Sequence, residues 1–177
     1  MAAPSHNIKL QAAPPHAVTW GPATTPLGKV VVAIANGRVC RVAYLRGKKP
    51  ADIAHLWQLE WPATTFTPGP IPKDFTTLPL LFIGNAYQRK AWVAIMNIPE
   101  GLVASYGDIA ARIGEPRTPR AVGRACNQSY LDYIVPCHRV VAAAGLGGYG
   151  TDGLTFKEQL LKAEGVEPPY KNYRQPF

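Results

Sequence analysis

Apolar residues run unbroken through Val30-Val31-Val32-Ala33-Ile34-Ala35, stop at Asn36-Gly37, and resume in Val39-Cys40-Arg41-Val42-Ala43-Tyr44-Leu45. Two β-rich runs joined by Asn-Gly predict a hairpin, because that dipeptide accepts the positive φ angles of a tight turn. Residues 52–60 carry Ile53, Leu56, Trp57 and Leu59 and predict a short helix. Its tryptophan is expected to pack and not to stack on a base, since nothing basic surrounds it. From residue 86 the period becomes helical. Tyr87, Ala91, Ile95 and Ile98 form an i, i+4, i+8, i+11 stripe with Trp92 alongside, and Pro99 ends the run. Ser105, with Asp108 three residues later, starts a second helix through Ile109, Ala110 and Ile113 that stops at Gly114. After Glu115-Pro116-Arg117, Thr118 is placed to cap and Pro119 to occupy the first turn, where a missing N–H costs nothing. A third helix is therefore expected over 119–127, and helix, short turn, helix is the layout of a helix-turn-helix module. Thr155 and Glu158 predict a capping box for a last helix ending at Gly165.

The stretches between are less patterned. Residues 1–19 are Ala- and Pro-rich and read as a poorly ordered lead-in, and residues 61–79 are punctuated by proline and glycine and read as an irregular linker. The expected organisation is a lead-in over 1–19, an N-terminal α/β domain with its linker over 20–80, and a second domain over 81–177. A chain of 177 residues with 47% hydrophobic residues suits this, having enough apolar side chains for real cores.

Charge changes the picture. The formal net charge of +8 suggests an acidic partner such as nucleic acid. Part of it is concentrated in Arg112, Arg117, Arg120 and Arg124, with Glu115 the one acid among them. On the third helix Ala121, Gly123 and Ala125 are expected to leave a face almost bare, which permits close approach to another helix or to DNA, and the arginines favour DNA. The three cysteines, at 40, 126 and 137, form neither a CxxC pair nor an even set. That suggests a reducing compartment and no structural zinc. No signal-type or membrane-spanning apolar run is visible, so a soluble protein of cytoplasm, nucleoid or nucleus is expected.

Residues 134–141, Ile-Val-Pro-Cys-His-Arg-Val-Val, carry the candidate chemistry. They predict a short buried strand presenting one thiol. A thiol of pKa about 8.5 becomes a better nucleophile beside an imidazole or a cation, although on a strand Cys137 and His138 would point to opposite sides and need a bridging water. By itself the pair is more often a small core cysteine next to a histidine. The glycine-rich segment 145–150 lacks the Lys-Ser/Thr of a phosphate loop and reads as a flexible wall beside the thiol.

Pro136-Cys137-His138-Arg139-Val140 resembles the active-site signature of the O6-alkylguanine-DNA alkyltransferases. So do Tyr87-Gln88-Arg89-Lys90-Ala91-Trp92, Ile98-Pro99-Glu100-Gly101, Ser105-Tyr106-Gly107-Asp108-Ile109-Ala110, Arg120-Ala121-Val122-Gly123, and Lys157-Glu158-Gln159-Leu160-Leu161 with Glu164-Gly165, in order and spacing from about 84 to 166. The resemblance implies an α+β protein: a small N-terminal β-hairpin/α domain followed by a helix-turn-helix, winged-helix-like alkyltransferase domain. It implies a monomer that repairs double-stranded DNA containing O6-alkylguanine by flipping the base and accepting its alkyl group once, irreversibly, on Cys137, with no cofactor or metal. His138 would be the base, Glu164 its orienting carboxylate, and Tyr106 a donor to the leaving guanine that also crowds the adjacent phosphate. Arg120 would enter the emptied stack. Ala121, Gly123, Arg124, Val140, Tyr149 and Thr151 would meet DNA or the flipped base, with Ser129 and Arg139 structural beside the site. The family's usual Asn-Pro before the active-site turn is Ser129-Tyr130 here, Asp132 stands where an apolar residue or proline walls the alkyl pocket, and the loop tyrosine falls one place early, at Tyr149. Two other readings are a non-catalytic lesion sensor, whose family members carry tryptophan in place of Cys137, and a helix-turn-helix regulator.

Overall fold

In a computed structural model the protein is described over residues 7–148 and 153–170. The chain divides into two compact units. One holds 7–86 and, after an excursion, 130–134; the other holds 87–129 and the residues from 135 onward.

The first unit is built on six strands, β1 (Ile8–Gln11), β2 (Ala17–Thr25), β3 (Gly28–Ala35), β4 (Arg38–Tyr44), β5 (Thr65–Pro68) and β6 (Leu80–Ile83), in the order β1-β6-β4-β3-β2-β5. The β3–β4 hairpin forms as expected, with Asn36 and Gly37 at φ 49° and 70°. Val30, Val31, Val32 and Ala33 are all fully buried, the continuous apolar run of a strand covered on both faces. The register shifts between Ala33 and Ile34, so Cys40 is the extra residue of a bulge, its thiol donating to the Ala33 carbonyl at 3.3 Å. Burial pushes that thiol up to about 12, against the pull of Arg41, so it is inert. Helix α1 (Pro50–Glu60) begins on Pro50 and buries Ile53, Ala54 and Trp57 against Val31, Ala33 and Cys40, while Leu56 and Leu59 are exposed.

Two expectations fail here. The lead-in over 1–19 contains β1 and the start of β2, and the linker over 61–79 contains β5 and a 3-10 turn at Phe75–Thr77. Both strands exist through parallel pairing with distant partners, Ile8–Gln11 with Leu80–Ile83 and Thr65–Pro68 with residues 17–20. Pro68 is tolerated because β5 is an edge strand. The N-terminal part is therefore a six-stranded sheet with one helix, more than a hairpin and a helix.

Arg41, on β4, is buried among aromatic rings. Its guanidinium carbon lies 5.0, 4.6 and 4.7 Å from the ring centroids of Trp57, Trp61 and Tyr130, and its Nη2 pairs with Glu60. Trp61 and Tyr130 meet edge-on at 5.1 Å. A desolvated cation over a ring is worth up to about 2 kcal/mol, which offsets part of the cost of burying the charge. Burial pulls the guanidinium pKa down, and Glu60 opposes that.

The returning segment 130–134 is tied to β4 by Val42 N–H donating to Tyr130 O at 2.7 Å and Asp132 N–H donating to Val42 O at 3.1 Å. Asp132 belongs to this unit, beside Arg46 and the Tyr44 backbone. Burial raises its carboxyl to about 6, with Arg46, the Tyr44 backbone and Arg41 opposing. A folded pKa above the unfolded 3.8 means the native state holds its proton more tightly, so stability rises as pH falls from 7 through 6. Asp132→Asn should stabilise the protein by roughly 1–3 kcal/mol at pH 7.5 and by little near pH 4, read from urea midpoints. An equal effect at both pH values would contradict the assignment.

The second unit comprises helices α2 (Ala86–Met96), α3 (Tyr106–Arg112), α4 (Pro119–Asn127) and α5 (Leu154–Ala163), with a parallel pair of short strands, β7 (Ala104–Ser105) and β8 (Val140–Val141). The stripe on α2 buries Ala91 and Ile95, and Trp92 Nε1 donates to Ala125 O at 2.8 Å, which fixes α2 to α4. The capping box forms: Asp108 N–H donates to Ser105 Oγ at 3.0 Å and Ser105 N–H to Asp108 Oδ2 at 2.8 Å. Thr118 precedes α4 without a side-chain cap; its hydroxyl bonds Glu115 O and the Tyr87 hydroxyl instead. Nor does Thr155 cap α5, which begins one residue earlier after Gly153. Val103, Val141 and Leu161 form a core with Leu146, Val166 and Tyr170 packed against it.

Candidate active site

Cys137 does not sit on a strand. Residues Cys137–Arg139 form a 3-10 turn, and only Val140–Val141 are extended. Pro136 sets the entry at φ −76° and ψ 66°, Cys137 N–H donates to Val135 O at 2.8 Å and Arg139 N–H to Pro136 O at 2.9 Å. With about three residues per turn, successive side chains diverge by a third of a turn and not by half, so Cys137 and His138 are not on opposite sides. The reason lies in Pro136, which lacks the N–H a strand ladder needs.

Downstream of the turn a buried ionic set assembles. His138 Nε2 lies 2.8 Å from Glu164 Oε1, Arg139 Nε donates to Glu164 Oε2 at 2.9 Å, and Arg139 Nη2 donates to Oε1 at 2.8 Å. Arg139 Nη1 also donates to Ile98 O at 2.7 Å, tying the turn to the segment that follows α2. Glu164 follows α5, whose helical geometry ends at Gly165 with φ 77°. Burial alone would push its carboxyl up, but the hydrogen bonds and charges of His138 and Arg139 overcome that and hold it at about 2. The imidazole pKa is lowered as well, chiefly by burial, although Glu164 pulls it back up. The pair is thus carboxylate and neutral imidazole. An ionised carboxylate only accepts, so the proton is assigned to Nε2 and the lone pair to Nδ1. Nδ1 is buried and has no hydrogen-bond partner among the described residues.

Cys137 retains 8% exposure, and its charged form is felt by two neighbours, Lys157 and Tyr106. Lys157 is fully buried on α5, and its ammonium donates to the carbonyls of Val140 at 2.6 Å, Leu146 at 2.8 Å and Gly148 at 3.2 Å. Burial lowers its pKa to about 8 while Cys126 and Cys137 raise it; by reciprocity the ammonium favours the Cys137 thiolate. Tyr106, at the start of α3, donates from its hydroxyl to Gly148 O at 3.2 Å. Burial, then Cys126 and Cys137, push its phenol up to about 12, so it stays a proton donor. Gly147 lets the loop pass: a Cβ there would stand 3.0 Å from the Tyr106 ring, at a φ of 72°.

The structure therefore gathers Cys137, His138, Arg139, Val140, Glu164 and Tyr106 in one unit. Arg120 and Arg124 are exposed on α4. Ala121, Gly123 and Ala125 do not share a bare face, because residues two apart on a helix point apart: Ala125 is buried beside Val122, and Ala121 and Gly123 are half-buried. Ser129 is half-buried, its N–H donating to Cys126 O at 3.2 Å. Tyr149 and Thr151 lie outside the described residues. Lys157, Cys126 and Gly147 were not singled out as site residues from sequence. The available signal was a lysine in the apolar Leu154, Lys157, Leu160, Leu161 stripe. No group of three metal-ligating side chains occurs among the described residues, and no described helix is long and apolar enough to cross a membrane.

Residues 86–166 match the family described as 6-O-methylguanine DNA methyltransferase, DNA binding domain. The chain is 36% identical over 154 residues to a methylated-DNA–protein-cysteine methyltransferase of Methanosarcina acetivorans, covering 80% of this chain and 94% of that one. It is 46% identical over 96 residues to a protein of the same name from Saccharomyces cerevisiae, covering 54% of this chain and half of the yeast protein. Among solved structures, Mycobacterium tuberculosis OGT in complex with DNA superposes with a TM-score of 0.64 at 30% identity, covering 84% of this chain and 93% of that chain.

Proposed function

The chain belongs to the methylated-DNA–protein-cysteine methyltransferase family and is a DNA-repair protein that transfers alkyl groups from DNA to one of its own cysteines; from that premise we propose that Cys137 is the acceptor and O6-alkylguanine in duplex DNA the substrate. The observation that carries the assignment is the His138–Glu164 pair, with a neutral imidazole whose Nδ1 lone pair is buried, has no partner among the described residues and lies next to the thiol in sequence.

An alkyl group on guanine O6 is reached after the nucleotide leaves the stack, at a cost of a few kcal/mol. Arg120, exposed on α4, enters the stack in its place, while Ala121, Gly123 and Arg124 lie along the DNA and Val140 beside the everted base. His138 Nδ1 takes the Cys137 proton through a water, and the imidazolium formed is stabilised by the Glu164 carboxylate, itself held by Arg139. The Lys157 ammonium stabilises the thiolate. The thiolate then attacks the alkyl carbon in line: the S–C bond forms, the C–O6 bond breaks, and the electron pair leaves on guanine, which takes a proton from the Tyr106 hydroxyl; the phenolate regains one through solvent as the His138 imidazolium releases the proton it took from the thiol. The thioether is not reversed, so each molecule acts once.

The test is to incubate the protein with a duplex containing O6-methylguanine and measure its intact mass. A gain of one methyl group supports the reading. Tight binding without a mass change selects a lesion sensor, and preference for base sequence regardless of the lesion selects a regulator. Arg120→Ala should slow repair of duplex roughly 10- to 100-fold, because the flipped state loses its plug, while reaction with free O6-benzylguanine changes little. Equal losses on both substrates would contradict a flipping role.

A further inference from the structure

Residues 130–134 leave the second unit, join the sheet of the first, and run directly into Val135 and the Cys137 turn. Their backbone is under load. Tyr133 adopts φ 68°, a conformation that a residue with a Cβ holds only when its surroundings impose it. Two attachments are available to impose it. One is the short ladder in which Val42 pairs with Leu131 and bonds Tyr130 O and Asp132 N. The other is the stack of Tyr130 on Arg41. That stack is unusual in its construction: a guanidinium with one exposed-side partner, Glu60, a buried Nη1 with no hydrogen bond among the described residues, and three rings at 4.6–5.0 Å. A buried charge of this kind is weak support for stability.

We propose that Arg41 is a positioning residue for the transfer reaction: by clamping Tyr130 between its guanidinium and Trp61, it fixes the strained 130–134 bend and hence the place of Cys137. The first unit then contributes to the chemistry through the chain segment it holds. This inference rests on Cys137 being the acceptor.

The test uses full-length protein carrying Arg41→Ala or Arg41→Lys. Arg41→Ala should slow alkyl transfer ~10- to 100-fold on free O6-benzylguanine and on duplex alike, since a displaced nucleophile is penalised whatever delivers the substrate. Affinity for undamaged duplex should stay within about twofold, because the α4 arginines are untouched. Arg41→Lys, which keeps a cation over the rings, should recover part of the rate. Amide exchange at 132 and 134 should quicken in Arg41→Ala while the β3–β4 hairpin stays protected. If Arg41→Ala does not fold, Tyr130→Leu carries the same test with the Arg41–Glu60 pair intact. A folded variant with the parent's transfer rate, unchanged exchange at 132 and 134, or no recovery in Arg41→Lys overturns the proposal. Failure of the parent protein to take up alkyl would instead strike the assignment of Cys137, leaving the exchange measurement to judge Arg41.

Discussion

Glu164→Ala is expected to lower stability by about 3–5 kcal/mol and to slow alkyl transfer by 10²- to 10⁴-fold. The carboxylate is wholly buried and answers three donors, His138 Nε2, Arg139 Nε and Arg139 Nη2. Its removal strands a guanidinium with 15% side-chain exposure and an imidazole with 1%. Against a typical total of about 5–15 kcal/mol, the loss is large and still leaves a folded protein. Glu164→Gln separates the two effects: it keeps the shape, and one oxygen can still accept from His138, but its amide N–H₂ opposes an arginine donor. The sign with pH is fixed by the carboxyl, whose folded pKa of about 2 lies below its usual 4.5. Its contribution is complete above about 4.5 and is lost as pH falls toward 2, so the acid limb of the parent's stability curve should flatten in Glu164→Gln. Denaturant melts between pH 2 and 6 check this. Unchanged acid stability in Glu164→Gln would refute the carboxylate's role.

Cys137→Ser should take up no alkyl group at all while retaining fold and binding to O6-methylguanine duplex. A serine hydroxyl is not ionised by a neutral imidazole as a thiol is, and neither the ammonium of Lys157 nor the phenol of Tyr106 makes up that difference. The substitution exchanges one buried sulfur for oxygen and leaves the His138–Glu164–Arg139 set intact, so the thermal midpoint should shift by only a few degrees. Cys126→Ser should remain active: that thiol shares the field of Lys157 and Tyr106 but has no imidazole beside it in sequence. Gel-shift affinity and intact mass on the same samples separate binding from transfer. Residual uptake by Cys137→Ser would move the acceptor elsewhere.

Much of this fold is written in short-range pattern. Asn36-Gly37 dictates the hairpin, Ser105 and Asp108 cap α3 reciprocally, and Pro119 opens α4, because each signal acts within a few residues of itself. The strands β1 and β5 escape such reading: four residues each, they exist by parallel pairing with partners about seventy and fifty residues away, and their own composition resembles loop. Local geometry also misled at Pro136, where β-branched neighbours suggest a strand but a missing N–H turns the chain into a 3-10 turn. Thr155 and Thr118 look like caps and are not, since Gly153 and the Tyr87 hydroxyl respectively displace those roles. At the site the motif names His138 and Glu164, and the structure adds their 2.8 Å contact. Lys157 and Arg41 show only as charges in apolar runs, a pattern that states burial without stating what the charge meets.

If one sulfur, at Cys137, takes the alkyl group from duplex DNA in a single irreversible transfer, mass mapping of the protein after reaction with excess duplex carrying O6-methylguanine will find one methyl per chain, as an S-methyl thioether on the peptide containing Cys137. No mass gain, a methyl on Cys126, or continued turnover beyond one equivalent would rule that transfer out.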